Sequence, residues 1–175
     1  IEQEGTYPLP EAQMDRFMFK ILVPDPGLED LMSIVKMTQK TMAEVADPVC
    51  SARQLLEMRA TANEIPVAES VLRYAMELCL ATHPDSECAT ETSKKYVQNG
   101  ASPRAGQALI SAAKVKAMLS GRFNVSYEDI ASLAYPVLRH RIKLNFEAIS
   151  ERIDADEVIR LILAELKAEK AKKQK

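Results

Sequence analysis

Apolar residues recur at the spacing of an α-helix over most of the chain. From Leu28 onward they repeat three and four positions apart, as on the buried face of an amphipathic helix. The pattern predicts a bundle of six helices. Their expected starts are at or near Leu28, Ser51, Val67, Ser102, Ser126 and Asp154.

Capping residues sharpen three of these helix boundaries. Ser102 followed by Pro103 is typical of an N-cap and a first helical residue, and Gly121 is placed to end that helix. The predicted buried face of this helix is a stripe of mostly small residues: Ala105, Ala108, Ala112, Val115 and Leu119. Ser126 and the residue three positions later, Asp129, form a capping-box pattern. The polar residues 83–99 predict a long loop, and short β pieces are expected at residues 123–125 and 144–146.

The start of the chain has a different pattern. Residues 17–23 read Phe-Met-Phe-Lys-Ile-Leu-Val, seven residues with one charge, and Pro-Asp-Pro-Gly follows at once. This predicts a buried strand with an abrupt end. One strand cannot satisfy its own backbone, so we expect its partners to lie upstream of Ile1. The change of pattern predicts a domain boundary between residues 1–25 and 26–175.

Composition supports a mainly α protein. Apolar residues make up 47% of the chain and charged residues 27%, with 5 Gly and no Trp, which favours a helical globular fold over a β-sandwich. The net charge of −2 gives no global basic field for nucleic acid, although local patches stay open. The Lys-rich stretch 167–175 reads as a solvated helix end.

Other function classes find little support. No apolar run reaches the length of a membrane span. Three cysteines without C-x-x-C spacing predict free thiols in a reducing cytoplasm. His83 and His140 have no ligand partner at zinc-like spacing, so no metal site is expected on this chain.

Three stretches carry a family pattern. They are Ile-Glu-Gln-Glu-Gly-Thr-Tyr-Pro-Leu-Pro-Glu-Ala-Gln-Met-Asp-Arg-Phe at residues 1–17, Gly-Ala-Ser-Pro-Arg-Ala at 100–105 and Val-Leu-Arg-His-Arg at 137–141. In this order and at these separations they resemble the MoxR family of AAA+ ATPases, whose near relatives include magnesium-chelatase subunits. The resemblance implies that residues 1–25 end the α/β ATPase core and that residues 26–175 form the helical lid.

The resemblance also implies parts that this chain lacks. In the family, a Walker A loop, an acidic Walker B strand and a sensor Asn precede the position of Ile1. The 175 residues contain no G-x-x-x-x-G-K-[ST]. ATP and Mg²⁺ would then be held mainly by the missing part, and we expect no ATP hydrolysis by this piece alone although the whole protein would be an ATPase.

Two arginines are the candidate functional residues. The family pattern makes Arg16 an arginine finger that acts in trans, where its planar guanidinium suits a transferring phosphoryl group. It makes Arg104 the sensor-2 arginine, on the first turn of the helix that Ser102 and Pro103 begin, where free N–H groups and the positive helix end favour anions. The alternatives are a salt bridge of Arg16 with Asp15 or Glu11, and a structural Arg104.

A second basic group ends the predicted fifth helix. Arg139, His140 and Arg141 suit the negative end of the helix dipole, and this capping role suffices to explain them. A role near nucleotide or at a subunit interface stays open.

The resemblance implies a ring, expected to be a hexamer, that converts nucleotide state into remodelling of a client. Its implied partner is a protein with a von Willebrand A domain. Two rival functions stay open: a helical nucleic-acid-binding module that uses the Arg-x-Arg end, and a helical scaffold or protein-interaction module without nucleotide.

Overall fold

The computed structural model describes Tyr7, residues 9–39 and residues 46–173. This part of the chain is mainly helical, as predicted. Its helices are α1 Glu11–Met14, α2 Leu28–Thr38, α3 Ala52–Glu64, α4 Glu69–Ala81, α5 Glu91–Tyr96, α6 Pro103–Leu119, α7 Tyr127–Leu138, α8 Phe146–Ser150 and α9 Ala155–Lys173. Two short strands, β1 Val97–Asn99 and β2 Lys143–Leu144, pair antiparallel, with Val97 opposite Leu144.

The chain divides into two compact units. The first comprises Ile1–Lys20 and Ala62–Lys175, and the second comprises Ile21–Thr61. This division by compactness differs from the boundary predicted after residue 25. The assignment of residues 1–25 to the end of an ATPase core stays a prediction.

Four helices of the first unit enclose its core. Helices α4, α6, α7 and α9 pack together, and their inward side chains are inaccessible to solvent. The largest fully buried apolar side chains are Leu78, Leu109, Ile130, Leu138, Ile159 and Ile162. These positions follow the helical spacing seen in the sequence, which is why the periodicity predicted the bundle correctly.

Small residues let α6 approach α4 closely. Ala105, Ala108 and Ala112 are buried along α6, as the predicted small-residue stripe requires. A Cβ added to Gly106 would lie 2.5 Å from Cε of Met76 on α4. The other two members of the stripe differ from expectation, because Val115 is 41% and Leu119 79% exposed.

The polar stretch before α6 contains structure that the sequence pattern did not reveal. Helix α5 and strand β1 lie inside the predicted loop 83–99, and α8 was also not predicted. Thr90 caps α5 by accepting a hydrogen bond from the Ser93 N–H. The carboxylate of Glu165 on α9 accepts the Glu91 and Thr92 N–H groups, so α5 depends on a distant residue. The β piece expected at residues 123–125 is absent from the described structure.

The strand predicted at residues 17–23 does not form a sheet. This segment has no pairing strand in the described chain, and its side chains are exposed. The Lys20 N–H donates instead to the carbonyl of Pro136 on α7. The residues predicted as a strand therefore satisfy part of their backbone through the end of α7.

The second unit has an apolar helix face that is open to solvent. Helix α2 begins after Gly27, whose N–H donates to the Asp30 carboxylate. Leu28 and Leu31, expected to be buried, are 73% and 48% exposed. The sequence pattern predicts an end of this helix near Thr41 and a loop over residues 1–10. Thr41, residues 1–6 and Pro8 lie outside the described residues.

A bidentate ion pair fixes the start of α7. The Arg122 guanidinium donates to both carboxylate oxygens of Asp129 at 2.7 and 2.6 Å. The same carboxylate accepts the Ser126 N–H, and the Ser126 hydroxyl accepts the Asp129 N–H, which confirms the predicted capping box. The Arg122 hydrogen bonds lower the pKa of Asp129 to about 2, against the opposing effect of its burial.

We expect Arg122→Ala to lower the free energy of unfolding of the first unit, because it leaves the carboxylate of Asp129 buried without its guanidinium partner. The matched control is Arg160→Ala, which removes a pair of similar geometry, 2.7 and 2.6 Å from Glu157, on an exposed surface. The loss of stability in the control should be clearly smaller, because exposed ion pairs contribute little. Urea unfolding can be followed by tyrosine fluorescence, because all five tyrosines lie in the first unit. Equal losses in the two variants would contradict the prediction.

Candidate functional site

The start of α6 has the geometry that the sequence predicted. Ser102 is the N-cap, and its hydroxyl accepts the Arg104 N–H at 3.3 Å. Pro103 occupies the first helical position, where a missing N–H costs nothing. Arg104 follows on the first turn with its side chain 49% exposed. A half-exposed cation therefore lies beside the positive end of a 17-residue helix.

The loop before α6 is held by the end of α4. The Thr82 hydroxyl accepts the Ala101 N–H at 2.9 Å, and Nε2–H of His83 donates to the Ala101 carbonyl at 2.9 Å. Gly100 lies against the His83 ring, and an added Cβ would be 2.6 Å from a ring carbon. Only glycine fits this position without moving the ring, so the loop that leads into Ser102 is closely packed.

Asp15 connects the chain start to α6. The Ser102 hydroxyl lies 2.7 and 2.9 Å from the two Asp15 carboxylate oxygens. Arg104 Nη1 lies 3.4 Å from one of them, and Arg141 Nε lies 3.2 Å from the other. Burial raises the pKa of Asp15, but the Ser102 hydrogen bond and the Arg141 charge outweigh it and bring the pKa below its ordinary value.

Arg141 is the buried member of this group, with its side chain 2% exposed. Besides the Asp15 carboxylate, it donates to the carbonyls of Asp15, Phe17, Met18 and Val137, at 3.0, 2.6, 3.2 and 2.5 Å respectively. These bonds bind residues 15–18 to the turn that follows α7. Arg141 was predicted to cap the helix dipole, and its contact with the chain start was missed.

The two residues before Arg141 contact the same segment. Nε2–H of His140 donates to the Phe17 carbonyl at 3.0 Å, and its buried Nδ1 has no partner in the described chain. Burial lowers the pKa of His140. Arg139 donates to the Lys20 carbonyl at 3.1 Å and holds both carboxylate oxygens of Asp156 at 2.9 Å.

Arg16 has a different environment from Arg104. Its side chain is exposed and makes no ion pair or hydrogen bond with the described residues. The salt bridges considered as alternatives are not formed, because Glu11 pairs with Lys143 and Asp15 with Arg141 and Arg104. The structure thus places the carboxylate of Asp15 against Ser102 and Arg104. Arg16, the next residue in the chain after Asp15, has a guanidinium that is free of described partners.

The sequence held only a weak signal for Asp15 and Arg141. Asp15 was visible as part of the chain-start motif and Arg141 as part of the basic helix end, but 126 residues separate them. Nothing in the periodicity pairs positions so far apart.

Among the described residues, no group of three His, Cys, Asp or Glu side chains could hold a metal ion. No helix in the described ranges is long and apolar enough to cross a membrane.

Comparison with known proteins places these features in a family context. Residues 89–162 match the family model of the AAA lid domain. Chaperone MoxR1 of Mycobacterium tuberculosis is 36% identical over 163 residues, which are 93% of this chain and 43% of MoxR1. YeaC of Bacillus subtilis, an uncharacterised protein, is 34% identical over 170 residues, 95% of this chain and 50% of YeaC.

Two further matches agree with these. Protein MoxR of Paracoccus denitrificans is 31% identical over 156 residues, 83% of this chain and 46% of that protein. A crystal structure of a Cytophaga hutchinsonii protein assigned as an ATPase has a TM-score of 0.83 and 38% identity, covering 94% of this chain and 50% of that one. The chain spans about half the length of the curated relatives it matches.

We expect Gly100→Ala to destabilise the first unit by about 1–3 kcal/mol, because the new methyl group overlaps the His83 ring. The measurement is urea unfolding followed by tyrosine fluorescence. In a His83→Ala background the same glycine substitution should cost much less, since the ring is gone. An equal cost in both backgrounds would mean that the ring contact is not the cause.

Proposed function

Because this chain belongs to the MoxR family of AAA+ ATPases, we propose that it is the nucleotide-sensing lid of a ring-forming ATPase. In this proposal ATP and Mg²⁺ bind mainly to a phosphate-binding half outside this chain. Arg104 contacts the γ-phosphate from the same subunit, and Arg16 contacts it from the neighbouring subunit. Loss of that phosphate on hydrolysis changes both contacts, and the ring uses the change to remodel or mature a client protein.

The observation that carries this proposal is the first turn of α6. Arg104 is half-exposed, its only described ion pair is a 3.4 Å contact, and it lies at the positive end of a long helix. A guanidinium held this loosely can turn toward a phosphate at little cost. Ser102 and Pro103 fix the helix start from which it turns.

Charge balance around Asp15 supports the same function. One carboxylate faces two guanidinium groups, those of Arg104 and Arg141. The group therefore carries one surplus positive charge. Arg141 is buried and neutralises Asp15, so the surplus resides on the exposed Arg104, where an anion can reach it.

Arg16 suits a contact with a second subunit. Its guanidinium is exposed and has no described partner, whereas the backbone beside it is held by Arg141. A side chain that is free at its tip and anchored at its base can be presented to a neighbour with little loss of order. We propose a hexameric ring in the cytoplasm, with a von Willebrand A domain protein as partner.

The nucleic-acid alternative has lost its main support. It relied on Arg139 and Arg141 as an exposed basic end, but their side chains are 13% and 2% exposed and already bonded within the chain. They are not free to contact phosphates or bases. A helical scaffold without nucleotide remains the outcome to be distinguished by experiment.

The 175-residue chain alone should have no measurable ATPase activity, because it contains neither the loop that cradles phosphates nor its lysine. The measurement is phosphate release by the purified chain. The blank is a preparation made in the same way from cells that do not express the chain. Turnover that co-elutes with the chain and persists through repeated purification would contradict the prediction.

The two arginine roles can be separated in mixed rings of the complete ATPase. Arg16→Ala and Arg104→Ala should each lower ATP hydrolysis strongly, since a finger supplied in trans is worth about 10³–10⁵ in rate in other nucleotide hydrolases. Adding subunits that lack their own Walker lysine should restore part of the activity of Arg16→Ala rings, because the added neighbour lends an intact Arg16.

The same addition should not rescue Arg104→Ala. An Arg104→Ala subunit has a defect in its own active site, and the added subunits have no working site because they lack the Walker lysine. Arg160→Ala serves as the control for loss of an exposed arginine and should retain activity. Rescue of Arg104→Ala but not of Arg16→Ala would reverse the assigned roles. Full activity of both variants would leave the helical scaffold as the better description.

A further inference from the structure

Asp15 lies between the two arginines of the proposed function. It precedes Arg16 in the chain, and its carboxylate contacts Arg104 across the structure. Arg104 and Arg16, which act in two different active sites in the proposed function, are thus joined through the Asp15 side chain and the peptide bond that follows it. Neither the family match nor the assigned arginine roles gives Asp15 a function.

The contacts of Asp15 differ greatly in strength. The Ser102 hydroxyl bond is 2.7 Å long, and Arg141 binds both the carboxylate and the backbone carbonyl of Asp15 from a buried position. The Arg104 contact is 3.4 Å long and made by a half-exposed side chain. Exposed ion pairs contribute little to stability, so a phosphate can take Arg104 from Asp15.

Release of Arg104 leaves no buried charge unpaired. Asp15 keeps Arg141 and Ser102 as partners, which avoids the cost of an isolated carboxylate in a partly buried site. The Asp15 side chain then has two partners in place of three. The number of partners that hold the Asp15 side chain therefore differs between the two states of Arg104.

We propose that Asp15 is a positioning residue that couples Arg104 to Arg16, so that the phosphate sensed in one subunit alters the arginine presented to the next. This inference rests on the proposed function. Asp15 itself touches no substrate. Loss of Asp15 should therefore slow hydrolysis in the active site of the neighbouring subunit. The Asp15 side chain nevertheless contacts Arg104 of its own subunit.

The test is Asp15→Asn in the complete ATPase, which removes the charge and keeps the side-chain shape. Asp156→Asn is the matched control, because it removes a carboxylate paired with another arginine of the same helix end, Arg139, without touching Arg104. Arg16→Ala is the reference for a defect in trans. Hydrolysis rate, ATP dissociation constant and ring size are measured for each variant, alone and mixed with Walker-lysine-deficient subunits.

Asp15→Asn should lower the maximal rate about tenfold to a hundredfold, since a misplacement of about 1 Å in a catalytic group can have that effect. Its ATP dissociation constant should stay within about threefold of wild type or become tighter, because Arg104 loses a competing carboxylate and not its phosphate contact. Mixing should restore activity as it does for Arg16→Ala. Asp156→Asn should be close to wild type in all three measurements.

Loss of activity that mixing does not rescue, or a weakened ATP affinity that accounts for the whole effect, would place Asp15 in its own active site and overturn the coupling. A wild-type rate would also overturn it.

If Asp15→Asn rings fail to assemble, Asp15→Glu retains the charge for Arg141 and should give a smaller defect of the same trans type. If Arg16→Ala itself shows no rescue, the proposed function fails, whereas a rescued Arg16→Ala beside an unrescued Asp15→Asn overturns the coupling alone.

Discussion

The attachment of the chain start to the helical bundle depends on one buried guanidinium. A charge placed out of water is costly unless all its donors are satisfied. Arg141 has five N–H donors, and the structure gives it five acceptors, four of them backbone carbonyls. Lysine has three donors on a single nitrogen and could not span these positions. The segment 15–18 is therefore ordered by a side chain from the turn after α7 and not by a neighbouring strand.

This arrangement explains both the success and the failure of the sequence-based predictions. Helix positions followed from apolar spacing, and the starts of α6 and α7 followed from Ser102 and Ser126, because those signals are local. The strand at residues 17–23 was inferred from apolar content alone. In the described chain its backbone is bound partly by Arg141 and Lys20 contacts that join residues more than a hundred positions apart.

The missed elements have a similar cause. Helix α5 is six residues long and polar in sequence, so it lacks the apolar face from which a helix is predicted. Its start is stabilised by Glu165, 73 positions away from Thr92. The candidate site divides in the same way: the cap and the arginine of α6 could be predicted from local pattern, whereas Asp15 as a shared partner could be found only from the folded chain.

The close packing at Gly106 limits how α6 can move. With the Met76 side chain pressed against its backbone, α6 cannot slide along or rotate on α4 without first opening the core. Any displacement of the α6 start must then carry α4, and with it Thr82 and His83, as one body. The helix pair would then move as a rigid element, with no relative motion of α4 and α6 to absorb the displacement.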